Sequence, residues 1–176
     1  MDIRMQKTKR SIYNAFIELR SKKELEKLTV KELCEKAEIN KSTFYVYYND
    51  IYDLSEQIED EIVTAVIKNI GAPEKMMSNP AEFAEILCEA YSAQHNLISI
   101  VFSGIRSEQL PRKIEAAIKE TLFEAFPQLR DDTEMNIRLT YCIYGGYYAF
   151  NRFSCCNDIS VIREIGAVSE KIFGNN

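Results

Sequence analysis

The chain has 176 residues, 46% of them hydrophobic, which is enough to build one or two compact helical units around a real core. Its formal net charge of −5 excludes a general polyanion binder, yet residues 1–50 hold 11 Lys/Arg against 8 Asp/Glu while the remainder hold 11 against 19. A basic front on an acidic body fits a grip on nucleic acid that is local, and the abundance of Glu, Lys, Ala, Leu and Ile without strand-like alternation predicts an all-α fold.

Ile12, Ala15, Phe16 and Leu19 recur at i, i+3, i+4 and i+7 and share one face of a first helix. The charged stretch from Arg20 to Lys27 is expected to leave it. Thr29, with Glu32 three residues on, reads as a capping box for a second helix of about two turns carrying Val30, Leu33, Cys34 and Ala37. Glu38, Ile39 and Asn40 form a tight turn in which Asn40 caps a third helix, expected over Lys41 to Tyr48. Asn49 and Asp50 break that helix and cap a long fourth, with Ile51, Leu54, Ile58, Ile62 and Ala65 on one face, ending near Gly71-Ala72-Pro73. Asn79-Pro80-Ala81-Glu82 is a strong start signal, and the periodicity that follows predicts a helix reaching about Phe102. Further helices are predicted over about Leu110 to Ala125, from Asp131–Glu134 to about Phe153, and from an Asn157-Asp158 cap to about Phe173.

Two short helices joined by a three-residue turn make a helix-turn-helix, whose second helix can enter a major groove about 12 Å wide. Lys41, Ser42 and Thr43 put short polar groups at the N-terminal end of that helix, where base edges lie. Tyr48 has the spacing from Phe44 of a packed side chain, whereas Tyr45 and Tyr47 point away from that face, toward phosphate or a thymine methyl.

The segment TVKELCEKAEINKSTFYVYYNDIYDL resembles the signature of the TetR family through Thr29, Leu33, Ala37, Ile39, Asn40, Thr43, Phe44, Tyr45, Tyr47, Tyr48 and Leu54, and KTKRSIYNAFIEL resembles that family's first helix. The specific resemblance covers about residues 7–55; beyond it only helix number, length and order agree. It implies an N-terminal three-helix DNA-binding domain over residues 1–50, joined to a helical effector-binding and dimerisation domain over 51–176. Lys31, Lys41, Ser42 and Tyr45 would then face the groove, Thr29, Thr43 and Tyr47 would hold phosphates, and Phe44, Tyr48 and Leu54 would be core. Two positions depart from the pattern. The turn glycine is Glu38, and the lysine that opens the fourth helix is Ile51, with Lys7, Lys9 and Arg10 available to compensate for the lost phosphate contact.

In the second half, MNIRLTYCIYGGYYAFNRF is apolar nearly all round and is expected to be buried on several sides. Gly145-Gly146 within it suggests close helix approach, a kink or room for a ligand. Tyr91, His95, Phe102, Tyr141, Tyr144 and Tyr148 are candidates to line an effector pocket, although aromatic core packing accounts for them too. Tyr147, Phe150, Ile162, Ile165, Gly166, Ser169 and Ile172 are candidates for a homodimer interface, which reading a palindromic operator on double-stranded DNA requires.

Cys34, Cys88, Cys142, Cys155 and Cys156 are odd in number and fit no metal spacing, so neither a metal nor another cofactor is expected. Vicinal Cys155-Cys156 invites a redox role, with only Arg152 nearby to support it. No apolar leader opens the sequence and no run reaches ~18 uncharged apolar residues, so a cytoplasmic protein off the membrane is expected. One His, no Gly-rich phosphate loop and no nucleophile beside a base argue against an enzyme. A repressor released by a small effector is the reading these features favour; an adaptor or activator controlled by a protein partner is the alternative.

Overall fold

The computed structural model describes residues 3–68, 70, 74–153 and 159–174. Among them are ten α-helices and no strand: α1 (Ile3–Arg20), α2 (Val30–Lys36), α3 (Lys41–Tyr45), α4 (Ile51–Lys68), α5 (Glu74–Ser78), α6 (Pro80–Ala93), α7 (His95–Val101), α8 (Gln109–Ala125), α9 (Thr133–Phe153) and α10 (Ile159–Phe173). The all-α class is as the composition predicts. No helix among the described residues is long and apolar enough to cross a membrane.

Contacts divide the chain into two compact units. The first takes the residues up to Ile62 together with Asn96–Ser107; the second takes Val63–His95 and everything from Glu108 on. α4 therefore contributes residues to both, and α7 from Asn96 on belongs with the helix-turn-helix although 26 residues separate the two helices in sequence. The expected boundary after residue 50 concerns function, meaning which residues touch DNA, and stays with the proposal below.

The first unit has the helices that the apolar spacing predicts. Ile12, Phe16, Leu33, Phe44 and Leu54 are fully buried in its core. Its helix starts are chemically specified. The Thr29 hydroxyl accepts from the Glu32 amide at 3.2 Å, and Asn40 Oδ1 accepts from the Thr43 amide at 2.7 Å. Asp50 Oδ1 accepts from the Asp53 amide at 2.8 Å, while Asp53 Oδ2 accepts in return from the Asn49 amide at 2.7 Å. The carboxylate of Glu32 is drawn instead to Lys23 Nζ at 2.5 Å.

Three departures from expectation stand out here. α3 is shorter than predicted, because Val46 and Tyr47 turn back onto Thr43 and Phe44 carbonyls three residues away, which tightens the exit from the helix. The helix expected to run unbroken from residue 80 to about Phe102 is divided at Gln94. Polar Gln94-His95-Asn96 interrupts the apolar stripe there, and the residues on either side pack in different units. Arg20, expected to open the charged stretch that leaves α1, is instead its last residue and is 4% exposed. Its Nη1 donates to the Lys23 carbonyl at 2.8 Å, and its Nη2 donates to the Ser103 carbonyl at 3.2 Å and the Ser103 hydroxyl at 2.8 Å. Gly104 follows with φ +61, in the left-handed region that favours glycine.

In the second unit, the Asn79 cap and the Pro at the first helical position start α6 as predicted. Asp132 Oδ1 accepts from the Met135 amide at 3.0 Å and starts α9. α10 packs against α6 and α9. A close approach is at Gly166, where a Cβ would stand 3.0 Å from the Ala81 carbonyl oxygen. α9 departs from expectation. Met135, Leu139, Ile143 and Phe150 are buried, whereas Ile137, Tyr141, Tyr148 and Phe153 are exposed, so one face is covered and another is open. The expected ends at Gly71-Ala72-Pro73 and Asn157-Asp158 lie outside the described residues, as do Cys155 and Cys156.

Candidate nucleic-acid interface

The turn between α2 and α3 is built on Glu38, the one described non-glycine residue with positive φ, at 55°. Glu38 stands where the pattern has a glycine and holds a side chain in the left-handed region. The Ile39 amide donates back to the Cys34 carbonyl at 3.0 Å and closes the α2 end.

Asn40 organises the start of α3. Its Oδ1 receives the Thr43 amide, the Thr43 hydroxyl and the Ser42 hydroxyl, each at 2.7 Å. A carbonyl oxygen offers two lone pairs, so three donors oversubscribe it. One hydroxyl can therefore turn to an outside acceptor, such as a phosphate oxygen, while the cap persists.

Burial around α3 sorts its side chains. Phe44 and Tyr48 are buried, their ring centroids 5.6 Å apart. Burial pushes the Tyr48 phenol up. Thr43 and Tyr47 are half-buried flanking groups, and Lys41, Ser42 and Tyr45 are exposed. Lys41, Ser42 and Tyr45 are thus open to a partner, with Thr43 on α3 and Tyr47 just after it partly so. Thr29 and Lys31 are exposed at the start of α2. The Thr29 hydroxyl, having accepted the Glu32 amide, still has its proton to donate. Lys31 Nζ lies 3.9 Å from Glu35, both largely solvated, a weak pair that leaves the cation available.

Ile51 is buried, so the position of the missing lysine is a core position in this chain. A cation reaches the flank from elsewhere: Lys9 Nζ of α1 stands 5.9 Å from the Tyr47 ring centroid. Sequence reasoning named Lys9 only as one of three basic residues; its proximity to Tyr47 depends on how α1 crosses α3.

A buried ionic site in the same unit was not foreseen. Glu59 of α4 is 0% exposed, and Arg106 grips it with two bonds, Nε to Oε1 at 2.9 Å and Nη2 to Oε2 at 2.6 Å. Ser55 adds a third at 3.0 Å. A signal existed, since Glu59, Ile62, Val63 and Val66 share one helical face, but an acidic residue in an apolar stripe is easily taken for its polar edge.

The second-unit candidates separate. Tyr91 is buried, its ring 5.4 Å from Phe150 and 6.1 Å from Tyr147, and its hydroxyl donates to Asn151 Oδ1 at 2.8 Å. These groups line a cavity of about 50 Å³ with Leu87, Ile114 and Ile143. Tyr141, Tyr144 and Tyr148 line an open groove on α9 instead. Phe102 is buried in the first unit, and His95 is exposed with its ring 6.1 Å from Tyr91. The six ligand candidates therefore do not form one pocket. Of the dimer candidates, Phe150, Ile162, Ile165, Gly166 and Ser169 are buried inside the protomer, and Tyr147 and Ile172 are half-buried. At Gly145 a Cβ would meet nothing, and at Gly146 it would make ordinary contact with Ile165 at 3.5 Å, so neither glycine is needed for packing within the chain.

Cys34 and Cys88 are buried, and burial pushes the Cys88 thiol up to about 12, which leaves it unreactive. No group of three or more metal-ligating side chains occurs among the described residues.

The fold is similar to that of the fatty acid degradation regulator FadR from Bacillus halodurans, with a TM-score of 0.51 over 96% of this chain and 95% of that one, at 15% sequence identity. At that identity the likeness is one of fold. No family model and no curated protein matches the sequence.

Proposed function

We propose that the chain is a DNA-binding transcription regulator of the TetR type that acts as a homodimer on a palindromic operator. The observation that carries this reading is the capped α3, with Lys41, Ser42 and Tyr45 turned outward and Thr43 and Tyr47 on its flank. A recognition helix needs that distribution: base-reading groups in front, phosphate-holding groups at the side, an apolar back. The basic surplus of residues 1–50 supports it. A single short helix reads too few base pairs, so two copies are required.

The dimer face in this reading is the open face of α9 with its neighbour on α10. Ile137, Tyr141 and Tyr148 recur there at helical spacing beside exposed Val168. Exposed aromatic and aliphatic groups in one band are the composition of an interface core. The α10 residues first suggested by the sequence support this face from behind by holding α10 against α6.

Repression relieved by a small effector is part of the proposal, as are a cytoplasmic location and the absence of catalytic activity. The cavity beside Tyr91 is the effector site in this reading. Its lining is mostly apolar, with the Tyr91–Asn151 pair, the Tyr147 hydroxyl and the Cys88 and Cys142 thiols as its polar groups, so the effector would be a largely apolar molecule with a polar end. At about 50 Å³ it must open to admit one, since ligand pockets run to several hundred Å³. That small volume also favours the second reading, control by a protein docked on the second unit.

Selection of bound sequences from random duplex DNA tests the proposal. A palindrome should emerge from the wild type. Lys41→Ala should relax base preference at one position per half-site, and Tyr47→Ala should weaken all sites alike, by roughly tenfold. Failure of the wild type to enrich any sequence at low salt rules the proposal out.

A further inference from the structure

Four side chains leave the outer surface of α3 and its exit turn: Lys41, Ser42, Tyr45 and Val46. The first three can make hydrogen bonds. Val46 cannot, and at 73% exposure it is the most exposed of the large apolar side chains among the described residues. A single exposed valine is ordinary on a protein surface. This one adjoins Tyr45, itself 56% exposed, on the helix whose other outward groups are a cation and a hydroxyl, with further cations on Lys31 and Lys9. An apolar point within a basic surface suits a partner that is anionic at its edges and apolar at one spot. In the DNA major groove the apolar spot is the 5-methyl group of thymine.

We propose that Val46 determines specificity by packing on a thymine methyl group in each half-site. The assignment rests on the DNA-binding reading above and adds a chemical identity to one operator position. It also fixes a spacing. Lys41 is a donor without acceptor capacity and selects guanine, through O6 and N7. Five residues at 1.5 Å rise place Val46 about 7.5 Å further along the helix. Base pairs are about 3.4 Å apart, so the thymine lies about two steps from the guanine. The tight turn at Val46 and Tyr47 serves this arrangement. It ends the helix while Val46 still faces outward and returns Tyr48 to the core beside Phe44.

Uracil lacks only the methyl group and keeps every hydrogen-bonding group of thymine, so it isolates the contact. The site selected by the wild type is synthesised with each thymine replaced in turn by deoxyuridine, and affinities are measured for the wild type, Val46→Ala and Val46→Ile. The wild type is expected to lose about fourfold per half-site at one thymine position, the value of one buried carbon converted to affinity. Val46→Ala should bind the thymine and uracil sites equally and select sequences without that preference, and Val46→Ile should keep it. Because Val46 is exposed, its variants should melt with the wild type, and a circular-dichroism melt verifies this. Equal binding of thymine and uracil by the wild type at every position overturns the proposal. So does discrimination that survives in Val46→Ala, which assigns the methyl contact to Tyr45. A wild type that enriches no sequence fails at the earlier stage and removes the DNA-binding reading itself.

Discussion

Arg106 holds the fully buried carboxylate of Glu59 through Nε and Nη2, at 2.9 and 2.6 Å, and so ties the turn after α7 to α4. Hydrogen bonding to Glu59 raises the Arg106 pKa further, against the smaller opposing effect of burial, so the guanidinium keeps its charge. Removing one partner leaves a charge in the interior. Arg106→Ala is expected to destabilise the first unit by about 3 kcal/mol, the lower part of the range for such pairs because Arg106 is partly solvated. Replacing both residues by Leu should cost less than the single change. Urea denaturation of the single and double variants measures this, and equal losses would show that the pair acts only through packing.

Glu38 holds φ 55°, where a side chain costs roughly 1–2 kcal/mol and glycine costs nothing sterically. Part of the gain from glycine is offset by its freedom in the unfolded chain. Glu38→Gly should therefore stabilise the protein by about 1 kcal/mol, read as a higher melting temperature, and should leave operator sequence preference unchanged. A lower melting temperature would mean that the Glu38 side chain makes a compensating contact.

These two sites show where sequence reasoning succeeds and where it stops. The turn at Glu38, the caps at Thr29, Asn40, Asp50 and Asn79, and the core faces of α1, α2 and α4 follow from local rules, because each depends on residues within four positions. The grouping of Asn96–Ser107 with the helix-turn-helix was invisible, since it rests on Arg20 reaching Ser103 and Arg106 reaching Glu59, contacts between residues 83 and 47 positions apart. Periodicity likewise cannot say which apolar face meets which neighbour. On α10 it marked Ile162, Ile165, Gly166 and Ser169 as a packing face, and they are buried within the protomer, where α10 packs on α6 and α9. On α9 it read an apolar helix as buried on several sides when one face is open. Val46 passed unnoticed because an apolar residue inside a helix-turn-helix reads as core until its exposure is known.

The open α9 face makes a prediction at Gly145. In the isolated protomer a Cβ there meets nothing, so Gly145→Ala should raise helix stability by up to about 1 kcal/mol in dilute, monomeric protein. If a second copy's helix crosses at this glycine, the same methyl group should weaken the dimer. Tyr141→Asp, at a side chain 69% exposed, should dissociate the dimer without unfolding the protomer. Sedimentation equilibrium of both variants tests this. A dimer unaffected by either change would move the interface off α9.

Glu115 gives the acid limb of stability a specific origin. Burial alone would raise its pKa, but Lys119 Nζ at 2.7 Å and a hydrogen bond from the Thr140 hydroxyl outweigh burial and hold it below its ordinary value of 4.5. A depressed carboxylate stabilises the folded state above its unfolded pKa, and that contribution disappears as pH falls through the folded value. The loss should therefore begin below about pH 4.5 and continue as the pH falls further. Glu115→Gln keeps the shape but cannot titrate. Between about pH 5 and about pH 3 its melting temperature should fall less steeply than that of the wild type. Parallel slopes would mean that Glu115 titrates alike in the folded and unfolded chain, so that its link from α8 to Thr140 on α9 is too weak to perturb it.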